Sequence, residues 1–293
     1  MFSIIFSFLC ASLMGYLILR FQDNHHELTG DHDLIGVQKF HAKAVPRIGG
    51  IIVFFGMGVG ILILYVAPDS ASFVMGVQLL IAGIPAFLGG LIEDLTKKVG
   101  VLTRLFLTAL SAGVAGWMFN AWLTDIQIVG LDFLLTISVV SIIFTCFAVA
   151  GIANSFNLID GFNGLASGVA LMILLAIAYV AFQVRDYVIL FSSFAAIGAI
   201  AGFVFWNYPK GRIFLGDGGA YLIGFWIAEL SILLVTRNSS VSKWFPVLIC
   251  IYPIFETLFT IYRRVLKRLH IGMPDANHLN QMIFSRIVRV SSS

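Results

Sequence analysis

Long apolar stretches alternate with short polar ones along the chain. Nine of the apolar stretches are long enough, or nearly so, to cross a hydrocarbon core about 30 Å thick as helices. They cover residues 2–19, 48–67, 73–92, 105–123, 133–153, 165–182, 187–206, 218–235 and 244–262. The pattern predicts an all-α, polytopic transmembrane helical bundle of about nine spans, with residues 1–293 forming a single integral-membrane domain. The eighth stretch fits this pattern least well, because it is short and contains Glu229.

Composition agrees with a membrane protein. Hydrophobic residues make up 59% of the chain and charged residues 11%, whereas soluble domains carry about 25% charged residues. The net charge of +3 is too small to indicate a nucleic-acid partner. The cysteines lie in apolar stretches without CxxC spacing, which predicts buried free thiols. No basic segment precedes the first stretch, which predicts a retained helix rather than a cleaved signal peptide.

The distribution of positive charge predicts the orientation. If all nine stretches cross the membrane, the loops fall into two sets, and one set holds 15 of the 18 Lys and Arg residues. This set consists of residues 20–47, 93–104, 154–164, 207–217 and 263–293. Because Lys and Arg accumulate in short cytoplasmic loops, we expect a periplasmic N-terminus and a cytoplasmic C-terminus. All six histidines belong to the same set, so the working face is predicted to be the cytoplasmic one.

Four carboxylates stand at the predicted cytoplasmic ends of apolar stretches. Glu93 and Asp94 follow the third stretch, Asp160 follows the fifth, and Asp217 precedes the eighth. Several acids at one depth repel each other unless a cation neutralises them, and Mg²⁺ binds carboxylates and bridges to substrate phosphates. The sequence therefore predicts that the four acids share a Mg²⁺ ion. The alternative for each acid is a solvated position in a loop.

Basic residues on the same side suggest contacts to phosphate. Lys43 and Arg47 lie beside Pro46 and a Gly-Gly pair, a context that favours a phosphate contact over the anchoring role expected of most basic residues here. His278 lies near Asp275 and two asparagines, which favours a phosphate or acid–base contact over a simply solvated histidine. A site at headgroup depth suits a lipid phosphate with its tail in the bilayer, together with a second substrate from the cytoplasm.

Six sequence blocks carry a resemblance to a known superfamily. The blocks are HAKAVPRIGG (41–50), GLIEDLTKKVG (90–100), NSFNLIDGFNGLASG (154–168), FWNYPKGRIFLGDGG (205–219), PIFETLFTIYRR (253–264) and PDANHL (274–279). In this order they resemble the polyprenyl-phosphate N-acetylhexosamine-1-phosphate transferases, the superfamily that also includes phospho-N-acetylmuramoyl-pentapeptide transferase. The resemblance extends from about residue 40 to the end of the chain.

The resemblance implies an enzyme that transfers a sugar 1-phosphate from a UDP-N-acetyl-amino-sugar to undecaprenyl phosphate and releases UMP. It implies Mg²⁺ as the cofactor, with Mn²⁺ as an alternative, and the cytoplasmic side of a bacterial inner membrane as the location. The product would start a lipid-linked cell-envelope glycan of the O-antigen kind, which belongs to lipopolysaccharide. A homodimer is left open.

The resemblance also implies roles for single residues. Asp217 of the GDGG sequence is the implied metal ligand. Asp94, with Glu93 beside it, is implied to bind the metal or to deprotonate the lipid phosphate, and Asp160 and His278 complete the predicted catalytic set. The predicted substrate-binding residues, which include contacts to uridine, are Lys43, Arg47, Asn154, Asn157, Asn207 and Phe214.

Three features depart from the superfamily pattern and support an alternative. Glu93 replaces the usual first Asp of a pair, and Asn280 stands where a second histidine is expected. The chain ends at Ser293, soon after the histidine loop, which suggests a truncated C-terminus. The alternative function is therefore a catalytically impaired homologue that binds a sugar nucleotide or partners without turnover.

Two further functions are less well supported by the sequence. A transporter would need an ion path, but Glu229 and Glu256 are the acids clearly inside apolar stretches, and no inverted repeat is visible. The pentapeptide-specific branch of the superfamily is disfavoured because its run of histidines in the last loop is missing from this sequence.

Overall fold

The computed structural model describes residues 2–22, 29–30, 45–66 and 70–266, and this part of the chain is almost entirely helical. Its helices are α1 (Phe2–Arg20), α2 (Gly49–Leu62, followed by a 3₁₀ turn at Ile63–Tyr65), α3 (Ser70–Thr96), α4 (Val101–Phe119), α5 (Leu131–Leu135), α6 (Ser138–Ile159), α7 (Leu165–Gln183), α8 (Tyr187–Asn207), α9 (Gly216–Arg237), α10 (Phe245–Ile249) and α11 (Ile251–Leu266). These ranges contain no β-strand, only an isolated bridge between Gly30 and Pro46. The prediction of an all-α protein is confirmed.

Within the described residues, seven helices are long and apolar enough to cross a membrane, namely α1, α3, α4, α6, α7, α8 and α9. They overlap seven of the nine predicted stretches, which confirms the polytopic helical bundle. The second stretch forms α2 and its 3₁₀ turn, which are apolar but shorter. The ninth stretch is divided at Cys250 into α10 and α11. The count of nine spans and the orientation of the termini stay predictions.

The outer surface of the bundle is apolar, as expected for a protein surrounded by lipid. On α11, Phe255 and Leu258 are 54% and 61% exposed, whereas Glu256 is completely buried. The polar side of this helix faces inward, where the Thr257 hydroxyl donates a hydrogen bond to the Ser155 hydroxyl of α6 at 2.9 Å. A helix of a water-soluble protein would show the opposite distribution.

Helix α9 is the centre of the bundle. All of its residues from Gly218 to Val235 are buried, and it packs against α2, α3, α4, α6, α7 and α8. A helix enclosed in this way is shielded from lipid by protein, so it tolerates Glu229, which is 1% exposed. The stretch that fitted the hydropathy pattern least well therefore forms the most enclosed helix.

The N-terminal end of α9 meets α2 and α3 through backbone contacts. A Cβ atom added to Gly50 of α2 would overlap with the backbone of Gly219, and one added to Gly90 of α3 would overlap with the backbone of Gly218 and its neighbour. Small residues let membrane helices approach closely. These contacts bring the ends of α2 and α3 to the point where α9 begins.

Candidate active site

A carboxylate from α3 holds the N-terminus of α9. Asp94, in the last turn of α3, accepts hydrogen bonds from the backbone N–H groups of Asp217 (to Oδ1, 2.9 Å) and Gly218 (to Oδ2, 2.9 Å). The first N–H groups of a helix have no partner within the helix, and the helix dipole favours negative charge there. Asp94 is only 5% exposed, and it fixes α9 relative to α3.

Gly216 allows this close approach. Its φ of +74° lies in the left-handed region that favours glycine. A Cβ atom at this position would also overlap with the carbonyl oxygen of Arg47 and the carboxylate of Asp94. Both the backbone conformation and the available space therefore require glycine at the start of α9.

Asp217, the first acid of α9, is surrounded by positive and polar groups. Its Oδ2 forms an ion pair with the Arg104 guanidinium of α4, and its Oδ1 accepts a hydrogen bond from Asn157 Nδ2 of α6 at 2.8 Å. Arg47 lies between two carboxylates, with Nη2 3.8 Å from Asp217 Oδ1 and Nε 3.9 Å from Asp94 Oδ1. Four segments of the chain therefore meet at the Asp217 carboxylate.

Asp160 stands at the C-terminal cap of α6, near the same cluster. Burial raises the pKa of its carboxyl from 3.8 to about 7, and the positive charge of Arg47 opposes that shift. Asp160 also interacts electrostatically with Asp94, which it could not do from the other end of the bundle. At neutral pH a group with this pKa is present in both protonation states, which suits a proton acceptor.

Tyr221 contacts two polar residues near Asp217, namely Asn154 and Arg104. Its hydroxyl donates a hydrogen bond to Asn154 Oδ1 at 3.0 Å, and the Arg104 guanidinium lies over its ring, 5.6 Å from the centroid. A guanidinium over an aromatic face is held by the ring quadrupole. Tyr221 is thus positioned by Asn154 and in turn supports Arg104.

Asn207, at the end of α8, organises the loop that leads to α9. Its Oδ1 accepts a hydrogen bond from the Gly164 N–H at 2.6 Å, and its Nδ2 donates to the carbonyl of Ile213 at 2.8 Å. Phe214, the residue after Ile213, donates its N–H to the Pro46 carbonyl at 2.8 Å. Asn207 and Phe214, for which the resemblance implies contacts to uridine, therefore lie respectively at the start of this loop and within it, and the loop packs against the segment before α2.

Comparison with known proteins identifies the family. The sequence model described as "Glycosyl transferase family 4" matches residues 76–235, which is more than half of the chain. The chain belongs to glycosyl transferase family 4. The matched segment of this family 4 chain includes Asp94, Asp160 and Asp217, together with Arg104 and Asn157.

Individual relatives of this family 4 chain come from several bacteria. The probable undecaprenyl-phosphate N-acetylglucosaminyl 1-phosphate transferase of Bacillus subtilis is 30% identical over 258 residues, which cover 85% of this chain and 68% of the relative. The undecaprenyl-phosphate alpha-N-acetylglucosaminyl 1-phosphate transferase of Thermotoga maritima is 28% identical over 249 residues, covering 85% and 71%. A phospho-N-acetylmuramoyl-pentapeptide-transferase of Clostridium perfringens is 26% identical over 300 residues, covering 99% and 92%.

Five of the predicted site residues lie at or near the start of α9, and two lie outside the described residues. Asp94, Asp217, Arg47 and Asn157 lie together, with Asp160 nearby, as described above. Lys43 and His278 lie outside the described residues.

Glu93 is engaged away from Asp217. Its Oε2 accepts a hydrogen bond from the Val99 N–H at 2.7 Å and so closes the loop after α3. Within the part of the chain that the structure describes, no three acidic, histidine or cysteine side chains are positioned to hold one metal ion. The Mg²⁺ site shared by four acids therefore stays a prediction, and Asp217 faces Arg104 instead.

Sequence reasoning missed two residues of the site in this family 4 chain. The sequence does not single out Arg104, because nothing near it separates it from the other basic residues of the predicted cytoplasmic loops. Tyr221 lies four residues after Asp217, and residues at this spacing share a helix face. That spacing was a usable signal for Tyr221, whereas Arg104 required the packing of α4 against α9.

Proposed function

We propose that this protein transfers a sugar 1-phosphate from a UDP-N-acetyl-amino-sugar to undecaprenyl phosphate and releases UMP. The observation that carries the proposal is the match to glycosyl transferase family 4 over residues 76–235, which contain the Asp94–Asp217 cluster. The names of the B. subtilis and T. maritima relatives describe N-acetylglucosaminyl 1-phosphate transfer onto undecaprenyl phosphate. The chain matches 68% and 71% of those two proteins.

The location of the cluster supports a lipid substrate. Asp94 and Asp217 lie at the ends of two helices long enough to cross a membrane, which corresponds to the depth of lipid headgroups. Arg47 is 26% exposed at the edge of the cluster, where a phosphate group can reach it. Arginine binds phosphate through paired N–H donors, so Arg47 is suited to orient a phosphate beside Asp217.

The donor chemistry of the cluster fits Mg²⁺, with Mn²⁺ as an alternative. Asp217 offers carboxylate oxygens, and Asn157, which uses its Nδ2 toward Asp217, retains an amide oxygen. Proteins commonly bind Mg²⁺ through one or two carboxylates together with substrate phosphates and water. When bound, the ion would neutralise the diphosphate of the donor and stabilise the leaving UMP.

The chain's own residues supply positioning and proton transfer. In the proposed reaction a lipid phosphate oxygen forms a bond to the β-phosphorus of the donor, the bond from this phosphorus to the bridging oxygen breaks, and that oxygen leaves with UMP. Asp160 accepts the proton of the lipid phosphate, because a pKa of about 7 is close to the second pKa of a phosphate monoester, which is about 6. Asp94 holds Asp217 in place throughout.

The bias of Lys and Arg toward one set of loops supports a location at the cytoplasmic face of a bacterial inner membrane. There a UDP-sugar and a polyprenyl phosphate meet, and the product would start the synthesis of a lipid-linked envelope glycan such as O-antigen. The choice of amino sugar is to be tested with a panel of UDP-N-acetyl-amino-sugars.

Transfer of radiolabel tests the proposal. The purified protein in detergent is incubated with undecaprenyl phosphate and labelled UDP-N-acetyl-amino-sugar, with and without Mg²⁺, and both UMP and labelled lipid are measured. We expect both products in a 1:1 ratio, only with the divalent cation and the lipid present. Donor binding without UMP release for every donor would contradict the proposal and support the alternative of a silent homologue.

A further inference from the structure

Arg104 contacts the carboxylate of Asp217, at which the proposed function places a divalent cation. Its guanidinium pairs with Asp217 Oδ2, and the side chains are only 10% and 14% exposed. The other oxygen, Oδ1, is taken by Asn157 Nδ2 at 2.8 Å. Both oxygens of the proposed metal ligand are therefore engaged by protein groups.

The side chain of Arg104 is not fully satisfied by this pairing. Its Nε is buried and has no hydrogen-bond partner among the described residues. The guanidinium also lies over the Tyr221 ring, 5.6 Å from the centroid, which offers a place to hold a cation without a carboxylate. The Arg104 guanidinium therefore has two partners, the carboxylate of Asp217 and the ring of Tyr221.

Two cations at one carboxylate oxygen repel each other. At about 4 Å, unit charges near a protein surface repel by about 4 kcal/mol at an effective dielectric constant of 20. A divalent ion at Asp217 Oδ2 therefore binds more tightly when Arg104 withdraws from that oxygen. Tyr221 remains as a support for the withdrawn guanidinium.

We propose that Arg104 is the resident counter-ion of Asp217 and competes with the divalent cation for the same carboxylate oxygen. The inference rests on the proposed function, which includes a cation at Asp217. Arg104 keeps the carboxylate neutralised when the cation is absent and sets how tightly the cation binds. It is a positioning residue, because it acts through Asp217.

The first test measures cation affinity without substrates. Mn²⁺ binding to the metal-free protein is followed by electron paramagnetic resonance for wild type, Arg104→Gln and Arg104→Lys. Arg104→Gln removes the competing charge, so we expect its dissociation constant for Mn²⁺ to fall about tenfold. Arg104→Lys retains the charge and should stay within about threefold of wild type. Arg237→Gln, at the opposite end of α9, is the matched control and should not change.

The second test uses only the wild-type protein, so it does not depend on how a variant folds. Phenylglyoxal modification of single arginines is measured by mass spectrometry with and without saturating Mn²⁺. We expect modification of Arg104 to rise when Mn²⁺ is bound, while modification of Arg237, whose side chain is 46% exposed, stays constant.

Equal Mn²⁺ affinity in wild type and Arg104→Gln, or no Mn²⁺ binding by either protein, would overturn the inference. Unchanged modification of Arg104 at saturating Mn²⁺ would overturn it as well. The radiolabel transfer described above separates these results from a failure of the proposed function, because turnover by wild type does not depend on competition by Arg104.

Discussion

The two ends of α9 each carry an aspartate–arginine pair, but one pair stands by itself and the other belongs to a larger cluster of charged residues. At the C-terminal end, Asp186 accepts hydrogen bonds from Arg237 Nε at 2.8 Å and from Asn238 Nδ2 at 3.1 Å. It also caps α8 by accepting the Ile189 N–H at 3.3 Å. One carboxylate therefore meets one guanidinium, and the remaining acceptor capacity goes to neutral donors.

The N-terminal end of α9 gathers three carboxylates in the described part of the chain. Asp94, Asp160 and Asp217 lie near Arg47 and Arg104, and the positive charge of Lys97 also acts on Asp94. Acids that are held this close together in a partly buried cluster are costly, and such clusters are characteristic of functional sites. The same residue pair therefore stabilises the fold at one end of α9 and belongs to the candidate active site at the other.

The largest effect is expected from Asp217→Asn. This change removes the charge but keeps the shape, so turnover should fall on the order of 10²–10³-fold, as for the loss of one electrostatic catalytic group. The measurement is UMP release in the transfer assay. Unaltered turnover in this variant would remove the distinction between the two ends of α9.

Gly216→Ala should follow in size. The new Cβ would meet the carbonyl of Arg47 and the carboxylate of Asp94, and its left-handed backbone costs about 1–2 kcal/mol for an L-residue. We expect at least a tenfold loss of turnover, measured with the thermal stability of the same sample. Gly151→Ala in α6 is the matched control, because its Cβ would have no neighbour within 4 Å. An equal loss in both variants would exclude a specific role of the Gly216 position.

The pH dependence tests Asp160. With its pKa at about 7, the ionised fraction falls from one half at pH 7 to about one tenth at pH 6, so turnover should drop about fivefold. Asp160→Asn should remove this inflection from the activity that remains.

Asp160 should also make stability depend on pH. Since the pKa of Asp160 is raised in the folded protein, the stabilisation that protonated Asp160 gives is present below pH 3.8 and is lost as pH rises through 7. Thermal melts of metal-free protein from pH 4 to pH 8 check this sign independently.

The smallest effect on activity is expected at the C-terminal end of α9. Asp186→Ala removes a helix cap and the partner of Arg237, which should lower the free energy of unfolding by about 1 kcal/mol. Turnover at a temperature well below the melting point should stay within twofold of wild type. A large loss of turnover without a loss of stability would show that both ends of α9 serve the reaction.

Much of the fold follows from the sequence, because membrane spans are selected for apolar length. The hydropathy pattern predicted the seven long helices, but α9 matched this pattern least well. Hydropathy measures how well a segment suits lipid, whereas α9 is surrounded by other helices of the protein. The break at Cys250 was missed for a related reason, because an apolar run does not reveal where a helix is divided.

The site was predicted in part. The acids beside glycines at the span ends predicted that Asp94 and Asp217 lie close together, and in the structure Asp94 accepts a hydrogen bond from the Asp217 N–H. The use of Asp94 as a cap for α9 could not be foreseen, because it depends on backbone N–H groups that lie 123 residues away in sequence. The pairing of Arg104 with Asp217 was hidden for the same reason, since the sequence separation is 113 residues.

The glycine contacts beneath Asp217 have a consequence for how the site adapts. Gly50 and Gly90 touch the start of α9 with main chain only, so the floor of the site has no side-chain torsions that can change. The long side chains of Arg47 and Arg104, which contact the Asp217 carboxylate, do have such torsions. An incoming phosphate would therefore meet a base formed by the main chain and arginine side chains that can change rotamer.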